Sequence, residues 1–210
     1  MPTKQIKEDK LVRVFDPFAP ALIKYKDIFD MKEFYTALKL WLIEYSWTDD
    51  VDGSPANEWF EHFYDERVDQ KGAKEIWIRW RLSKPSPGSP KLKYYMDINF
   101  HVLALASTEV IKEGQKIKAN KGEVELKMSG SIEKLYEYEF EKSKFLGPFK
   151  KLFSQRVYDH MLEEEKKKLY QEIYIFQNFI KQWFKLKRFL PYEEIKSFSP
   201  SYAWPSHQKD

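Results

Sequence analysis

Alternation of apolar and polar residues is the strongest pattern along this chain. Between Leu92 and Ala106 the even-numbered positions are apolar or aromatic, and the odd-numbered positions include Asp97, Asn99 and His101. The same even parity returns from Val124 to Phe140 with one exception. Because successive side chains of a strand point to opposite faces, both stretches are predicted to be long antiparallel strands that bury their even-numbered residues.

Segments on the N-terminal side of these strands extend the predicted sheet. Lys74–Ser83 alternates with the same parity, and the aromatic run Glu58–Val68 predicts a further strand. Three prolines fall within Lys84–Pro90. Because proline fixes φ and lacks a backbone donor, this stretch is predicted to be an irregular hairpin loop.

The region between the two long strands is predicted to reverse direction. Asn120–Gly122 has the composition of a turn. Residues 107–118 are predicted to form either the remainder of a very long hairpin arm or a separate short strand. We favour a strand that is kinked at Gly114, and we expect Gly130 to mark a bulge or bend.

Two helices are predicted to flank the sheet. Asp30 and Glu33 fit a capping box, and an apolar helical stripe follows as far as about Trp47. A second stripe runs from Gly147–Pro148 to about Lys187. A helix of that length would span roughly 60 Å, so it either breaks or projects from the domain.

The order of these elements predicts an α+β fold. It consists of an antiparallel meander of about four long strands, packed on one face by the N-terminal helix and the long C-terminal helix. Residues 1–29 are predicted to be an irregular segment, residues 30–188 a single domain, and residues 189–210 an extended tail rich in proline and aromatic residues. In layout this resembles the helix-grip arrangement of START and polyketide-cyclase-like proteins, which implies a small-molecule binder with an apolar cavity between sheet and helix.

Composition removes several classes of chemistry. The 210 residues include no cysteine, which excludes disulfides, thiolate nucleophiles and cysteine-based metal sites. The 7 glycines form no phosphate-binding loop, and no Gly-x-Ser-x-Gly motif occurs. We therefore expect no cofactor and lean towards a non-catalytic protein.

Charge and targeting signals bear on the partners and the cellular location that the sequence predicts. The chain carries 36 basic and 33 acidic residues, a formal net charge of +3, whereas nucleic-acid binding usually needs a concentrated basic face. The N-terminus lacks the apolar run of a signal peptide. Polar residues interrupt the most apolar stretch, 169–190, at nearly every turn, so no membrane span is expected. These features predict a cytoplasmic protein.

The candidate contact residues lie on the odd-numbered sheet face and in the tail. Exposed aromatic and arginine side chains are typical of protein interfaces, and they also stack bases and bind phosphates in some RNA-binding modules. The polar row of the same face is equally compatible with a ligand pocket, an acid/base site or an ordinary solvated surface. The residues are Trp77, Arg79, Arg81, Tyr95, Asp97, Asn99, His101, Tyr202 and Trp204, with Lys91 and Lys93 beside them.

These observations predict an interaction or assembly protein that binds a protein partner or forms a homodimer. The tail containing Tyr202 and Trp204 is predicted to dock either on another chain or on its own helix. The alternatives are a helix-grip protein for an apolar ligand, with polar contacts from Asp97 or His101, and a factor that associates with RNA or the ribosome through Arg79 and Arg81.

Overall fold

A single antiparallel sheet organises the described part of the chain. The computed structural model describes residues 8–16, 19–49, 61–112, 115–142 and 158–185, and seven strands within these ranges belong to the sheet. They are β1 (Leu11–Arg13), β2 (Ala21–Phe29), β3 (Thr48–Asp49), β4 (Glu61–Val68), β5 (Lys74–Ser86), β6 (Ser89–Lys112) and β7 (Gln115–Lys134). The described α-helices are α1 (Met31–Glu44), α2 (Leu135–Lys142) and α3 (Asp159–Trp183). The predicted α+β class is confirmed, whereas the predicted count of four strands was too low.

The three longest strands form the middle of the sheet. β6 pairs with β5 on one side and with β7 on the other. Beyond β5 the sheet continues as β4 and β3, and beyond β7 it continues as β2 and β1, each pairing with a different part of its neighbour. Among the described strands all pairings are antiparallel, so consecutive long strands are joined by hairpins.

The inner face of the sheet, which the helices cover, carries the even-numbered side chains of the middle strands. These side chains are at most 5% exposed, which confirms the parity predicted for them. They are Ile76, Ile78, Trp80, Leu82, Leu92, Tyr94, Met96, Ile98, Phe100, Val102, Val124, Leu126, Met128 and Ile132.

Two helices lie on the inner face and contact each other through aromatic rings. The rings of Trp41 and Phe176 are 4.6 Å apart, and those of Phe34 and Trp183 are 4.9 Å apart. At 25 residues α3 is about 37 Å long, which lets it cross the whole sheet. Because both helices bury aromatic residues against the even-numbered face, that face becomes the core of the fold.

The predicted helix N-terminus and the predicted role of Gly130 have different outcomes. The Asp30 side chain accepts a hydrogen bond from the Glu33 backbone N–H at 2.9 Å, which confirms the cap. Gly130 pairs with Met96 in unbroken register, so the predicted bulge is wrong. A Cβ at Gly130 would overlap Cδ1 of Ile173, the end of a side chain on α3, so that side chain would have to shift to admit one.

The two predicted reversals have different outcomes. The hairpin predicted within residues 84–90 is present, but it is not an irregular loop, because β5 continues to Ser86 and the chain turns only at Pro87–Gly88. Pro85 is tolerated because β5 pairs there with β6 alone among the described strands. The predicted turn at Asn120–Gly122 is wrong, since β7 runs through it and pairs with β2. The predicted kink at Gly114 lies outside the described residues.

The even parity fails at two places. Ala104 has a left-handed φ of 51° and is exposed, whereas Leu105 is buried, because a bulge between Leu103 and Ala106 shifts the register. After Lys134 the predicted strand is replaced by α2.

The N-terminal segment and the C-terminal half also differ from expectation. The segment predicted to be irregular, 1–29, contributes β1 and β2 to the sheet. The predicted start of the long helix near 148 and the tail from 189 to 210 lie outside the described residues. Within the described ranges, no helix is both long and apolar enough to cross a membrane.

Candidate interaction surface

The outer face of the sheet gathers the sequence-predicted contact residues of the middle strands into one surface. It consists of odd-numbered side chains in the paired middle portions of β5, β6 and β7, which point away from the helices. Direct cross-strand pairing places Trp77 opposite His101, Arg79 opposite Asn99, and Arg81 opposite Asp97. On the other side of β6, residues of β7 continue each row. The members of the outer face are Glu75, Trp77, Arg79, Arg81, Tyr95, Asp97, Asn99, His101, Glu125, Lys127 and Ser129.

An aromatic stack forms one end of this surface. The rings of Trp77 and His101 are 5.0 Å apart and nearly parallel, at 15°. The Arg67 guanidinium lies 4.8 Å from the centre of the Trp77 ring on the side of β4. Nε2 of His101 is 2.9 Å from Oε1 of Glu75. The half-buried indole is therefore packed between an imidazole on one strand and a guanidinium on another.

Cations and an amide form the middle row. Arg79 lies over the ring of Phe63, 5.4 Å from its centre, and both side chains are exposed. Asn99 and Lys127 continue the row across β6 and β7, and exposed Leu22 ends it on β2. The row therefore has an apolar side chain at each end and hydrogen-bond donors at its centre.

The remaining charged side chains of the outer face form ion pairs. Nε of Arg81 lies 3.6 Å from Oδ1 of Asp97, with both side chains about half exposed. The Glu125 carboxylate forms ion pairs with two lysines: Oε2 lies 2.7 Å from Nζ of Lys24, and Oε1 lies 2.9 Å from Nζ of Lys127. The hydrogen bonds from these two lysines lower the pKa of the Glu125 carboxyl. Cations and carboxylates are thus interleaved over the whole outer face.

Tyr95 extends the outer face towards β1. Its hydroxyl donates to Oε2 of Glu133 at 2.8 Å, and the Lys93 ammonium lies 5.0 Å from the centre of its ring. Glu133 is 1% exposed. Burial of Tyr138 and its hydrogen bond with Glu133 raise the pKa of the Tyr138 phenol to about 12.

A shallow depression of about 410 Å³ opens on the outer face. The polar and charged groups of its wall are an indole, an imidazole, an amide, a hydroxyl, two guanidiniums, two carboxylates and an ammonium. These groups can donate and accept hydrogen bonds, but they are not arranged as a nucleophile with an adjacent base. Among the described residues, no group of three or more carboxylate or histidine side chains is placed to hold a metal ion. The lining residues are Trp77, Arg79, Arg81, Asp97, Asn99, Phe100, His101, Glu125, Lys127 and Ser129.

A buried carboxylate on α3 was missed in the sequence. Glu165 lies in a charged run that is typical of a solvated helix surface, yet it is 1% exposed. Oε2 accepts from the Ser86 hydroxyl and from the Tyr94 hydroxyl, the latter at 2.5 Å, and Oε1 accepts from Lys168 at 2.6 Å. Oε1 also lies 2.1 Å from the position that a Cβ would take at Gly88. The signal was available: Glu165 precedes Leu169 and Ile173 on the apolar stripe by whole turns.

A second buried contact joins α3 to β5. Lys84 pairs with Glu172, and the Trp47 indole N–H donates to the same carboxylate oxygen at 2.8 Å. Lys84 was assigned to a loop, so its place on the even-numbered inner face could not be expected. Together with Glu165, this pair fixes α3 against the β5–β6 hairpin.

Large side chains fill the space between sheet and helices. Tyr94 reaches α3 directly, and the rings of Trp80 and Phe100 are 4.6 Å apart beneath the ring of Tyr35, which is 4.9 Å from that of Trp80. The two tail residues of the predicted contact set, Tyr202 and Trp204, lie outside the described residues.

Comparison with protein-family models, with curated proteins and with solved structures found no match to this chain.

Proposed function

We propose that this protein is a non-catalytic interaction protein that associates with a second copy of itself through the outer face. The observation that carries the proposal is the interleaving of cations and carboxylates around the Trp77–His101 stack. A two-fold interface brings the same patch of both copies together, so it requires a patch that carries both signs.

The composition of the outer face supports a protein partner over a polyanion. Its core combines one indole with two guanidiniums, the residue types that carry most of the binding energy at protein interfaces. Three of its cations, on Arg81, Lys127 and His101 when protonated, lie beside carboxylates of the same face. Such pairs reduce the attraction for phosphates, which favours protein association over the RNA alternative.

The packing of the inner face bears on the apolar-ligand alternative. That alternative requires space between the sheet and the helices, where Tyr94 already contacts Glu165 of α3 and where Trp80 and Phe100 pack against Tyr35 of α1. The proposal therefore retains the helix-grip arrangement of sheet and helices but does not include an apolar ligand. A cytoplasmic location stays a prediction from the sequence.

Sedimentation velocity over a wide range of protein concentration tests the proposal. The wild type is expected to show a concentration-dependent dimer that weakens as salt is added, because salt screens the exposed pairs. Trp77→Ala with Arg79→Ala removes the centre of the interface and should raise the dimer Kd by about thirtyfold or more, the value for a hot spot of ~2 kcal/mol.

A matched control replaces an exposed aromatic and an exposed base on α3. Tyr170→Ala with Lys167→Ala lies on the helix, away from the outer face, and should leave the dimer unchanged. A wild type that stays monomeric at every concentration contradicts the proposal, and so does an equal loss in both double variants. Binding to RNA with a steep salt dependence would instead favour the nucleic-acid alternative.

A further inference from the structure

The β6–β7 hairpin projects beyond the rest of the sheet. β5 ends its pairing with β6 at Leu105, and β2 ends its pairing with β7 at Asn120. Residues 108–112 and 115–119, which we call the arm, pair only with each other among the described strands. An isolated two-stranded ribbon is marginally stable in water, so the arm needs further contacts to persist.

A groove of about 450 Å³ lies between the arm and the body of the molecule, and it shares no residue with the outer face. The arm contributes Val110 and Ile117, which form a cross-strand pair on the groove side. The body contributes the end of β2, the start of α1 and the end of α3. The body residues are Tyr25, Ile28, Phe29, Asp30, Glu33, Trp183, Phe184 and Lys185.

The groove is apolar with an acidic rim. Ile28 is 40% exposed and Ile117 is 46% exposed, which is high for isoleucines that line one groove. Asp30 and Glu33 add carboxylates at the first turn of α1. A complementary occupant is therefore a short segment of large apolar residues with basic residues beside them.

The described chain ends at this groove. The Phe184 N–H bonds to the carbonyl of Ile180, and the Lys185 N–H bonds to the carbonyl of Gln182, which closes α3. Lys185 has a left-handed φ of 55° and lines the groove itself. At about 3.3 Å per residue, Phe189 and Leu190 are within roughly 17 Å of Lys185, so the next residues of the chain can reach the groove.

The sequence that follows matches the groove in chemistry. Lys187 and Arg188 are basic, and Phe189, Leu190 and Tyr192 are large and apolar or aromatic. We propose that the C-terminal segment beginning at Leu186 binds in this groove of its own chain. The segment covers the apolar side of the arm, while its two cations lie near Asp30 and Glu33. The arm is stabilised by this contact rather than by a second protein.

Disulfide trapping in the full chain tests this inference, and the absence of native cysteine makes it clean. Ile117→Cys with Leu190→Cys places one thiol on the groove side of the arm. Ile111→Cys with Leu190→Cys is the matched control, because Ile111 lies one position from Val110, on the opposite side of the ribbon, and is 72% exposed. The groove pair should form a disulfide within one chain about tenfold faster than the control pair.

Phe189→Cys, combined with each arm position in turn, repeats the contrast if Leu190 points away from the groove. Equal rates for the groove and control positions in both series overturn the inference. Disulfide-linked dimers whose yield rises with protein concentration also overturn it, because they place the segment or the arm of a second copy in the groove.

Hydrogen exchange supplies a readout without cysteine. Leu190→Asp with Phe189→Asp introduces charge into the apolar segment, and the amides of Val110 and Ile117 should then exchange about tenfold faster or more. Unchanged protection of these amides contradicts the inference. Dimerisation through the outer face should not change in these variants, so failure here is distinct from failure of the proposed function.

Discussion

Removal of the Glu165 carboxylate tests how α3 is held to the sheet. In Glu165→Ala, the hydroxyls of Tyr94 and Ser86 lose the carboxylate acceptor that they share, and Tyr94 keeps only a long hydrogen bond of 3.3 Å to the backbone carbonyl of residue 165. Tyr94 is fully buried and Ser86 is 6% exposed, so water replaces that acceptor poorly. Each unsatisfied buried hydroxyl costs about 1–3 kcal/mol, and we expect a total loss of about 3 kcal/mol in the free energy of unfolding.

Glu164→Ala provides the control on the same helix. Glu164 is exposed, and its one described ion pair, with His160 at 3.6 Å, is also exposed. Its removal should change the free energy of unfolding by less than about 0.5 kcal/mol. Urea denaturation of both variants, followed by tryptophan fluorescence and circular dichroism, measures the difference. Equal free energies for the two variants would refute the role assigned to Glu165.

The pH dependence of the same carboxylate has a defined sign. Burial alone would raise the pKa of Glu165, but hydrogen bonds from Lys168, Ser86 and Tyr94 outweigh it and lower the pKa below 4.5. The folded state therefore binds the proton more weakly than the unfolded state does. The stabilisation is fully present above pH 4.5 and is lost as the pH falls through the lowered pKa. In Glu165→Gln this part of the acid destabilisation should be missing, and identical acid profiles would contradict the assignment.

Three further substitutions test local features of the fold by chemical denaturation. Asp30→Ala removes the N-cap of α1 and should cost about 1 kcal/mol, and an unchanged stability would contradict the capping role. Gly130→Ala forces a Cβ against Ile173 and should destabilise by about 1–3 kcal/mol, whereas a stabilised variant would show that α3 does not cross there. Ala104→Gly relieves a left-handed backbone and should stabilise by about 1 kcal/mol, while Ala106→Gly in the same strand should destabilise.

Strand parity made the inner and outer faces predictable from the sequence. A long antiparallel strand with one buried face alternates from residue to residue, so β5 as far as Ser83 and β6 as far as Leu103 could be assigned to faces residue by residue. Neighbouring pairing of these strands then placed Arg79 beside Asn99 and Arg81 beside Asp97. The cap at Asp30 was predictable because its chemistry is local in sequence.

Physical reasons explain why α2, β2 and the bulge at Ala104 were not predicted from the sequence. Tyr136 and Phe140 are four residues apart, a spacing that fits one face of a strand and one turn of a helix equally well, so α2 was read as strand. The edge strand β2 buries only Ile23 and Phe29 deeply, which leaves little alternation to detect. The bulge at Ala104 carries no glycine and therefore no sequence signal.

The location of Glu165 and of the arm groove depends on tertiary packing. Glu165 sits in a run of glutamates and lysines, and the hairpin turn at Pro87–Gly88 determines that this one carboxylate is enclosed. The groove exists because the arm extends beyond the ends of the neighbouring strands β5 and β2. The lengths of paired strands are set by contacts distant in sequence.

Single-cysteine labelling along β6 tests the central structural claim most directly, because the chain has no native thiol to interfere. Cysteine at position 99 should react with a soluble maleimide much faster than cysteine at position 100, since Asn99 is exposed and Phe100 is buried. At the bulge the exposed positions change from odd to even numbers, so cysteine at position 104 should react and cysteine at position 105 should be protected. Uniform labelling, protection of positions 99 and 104, or alternation that continues unchanged through position 104 would contradict the assignment of inner and outer faces on which the proposed function depends.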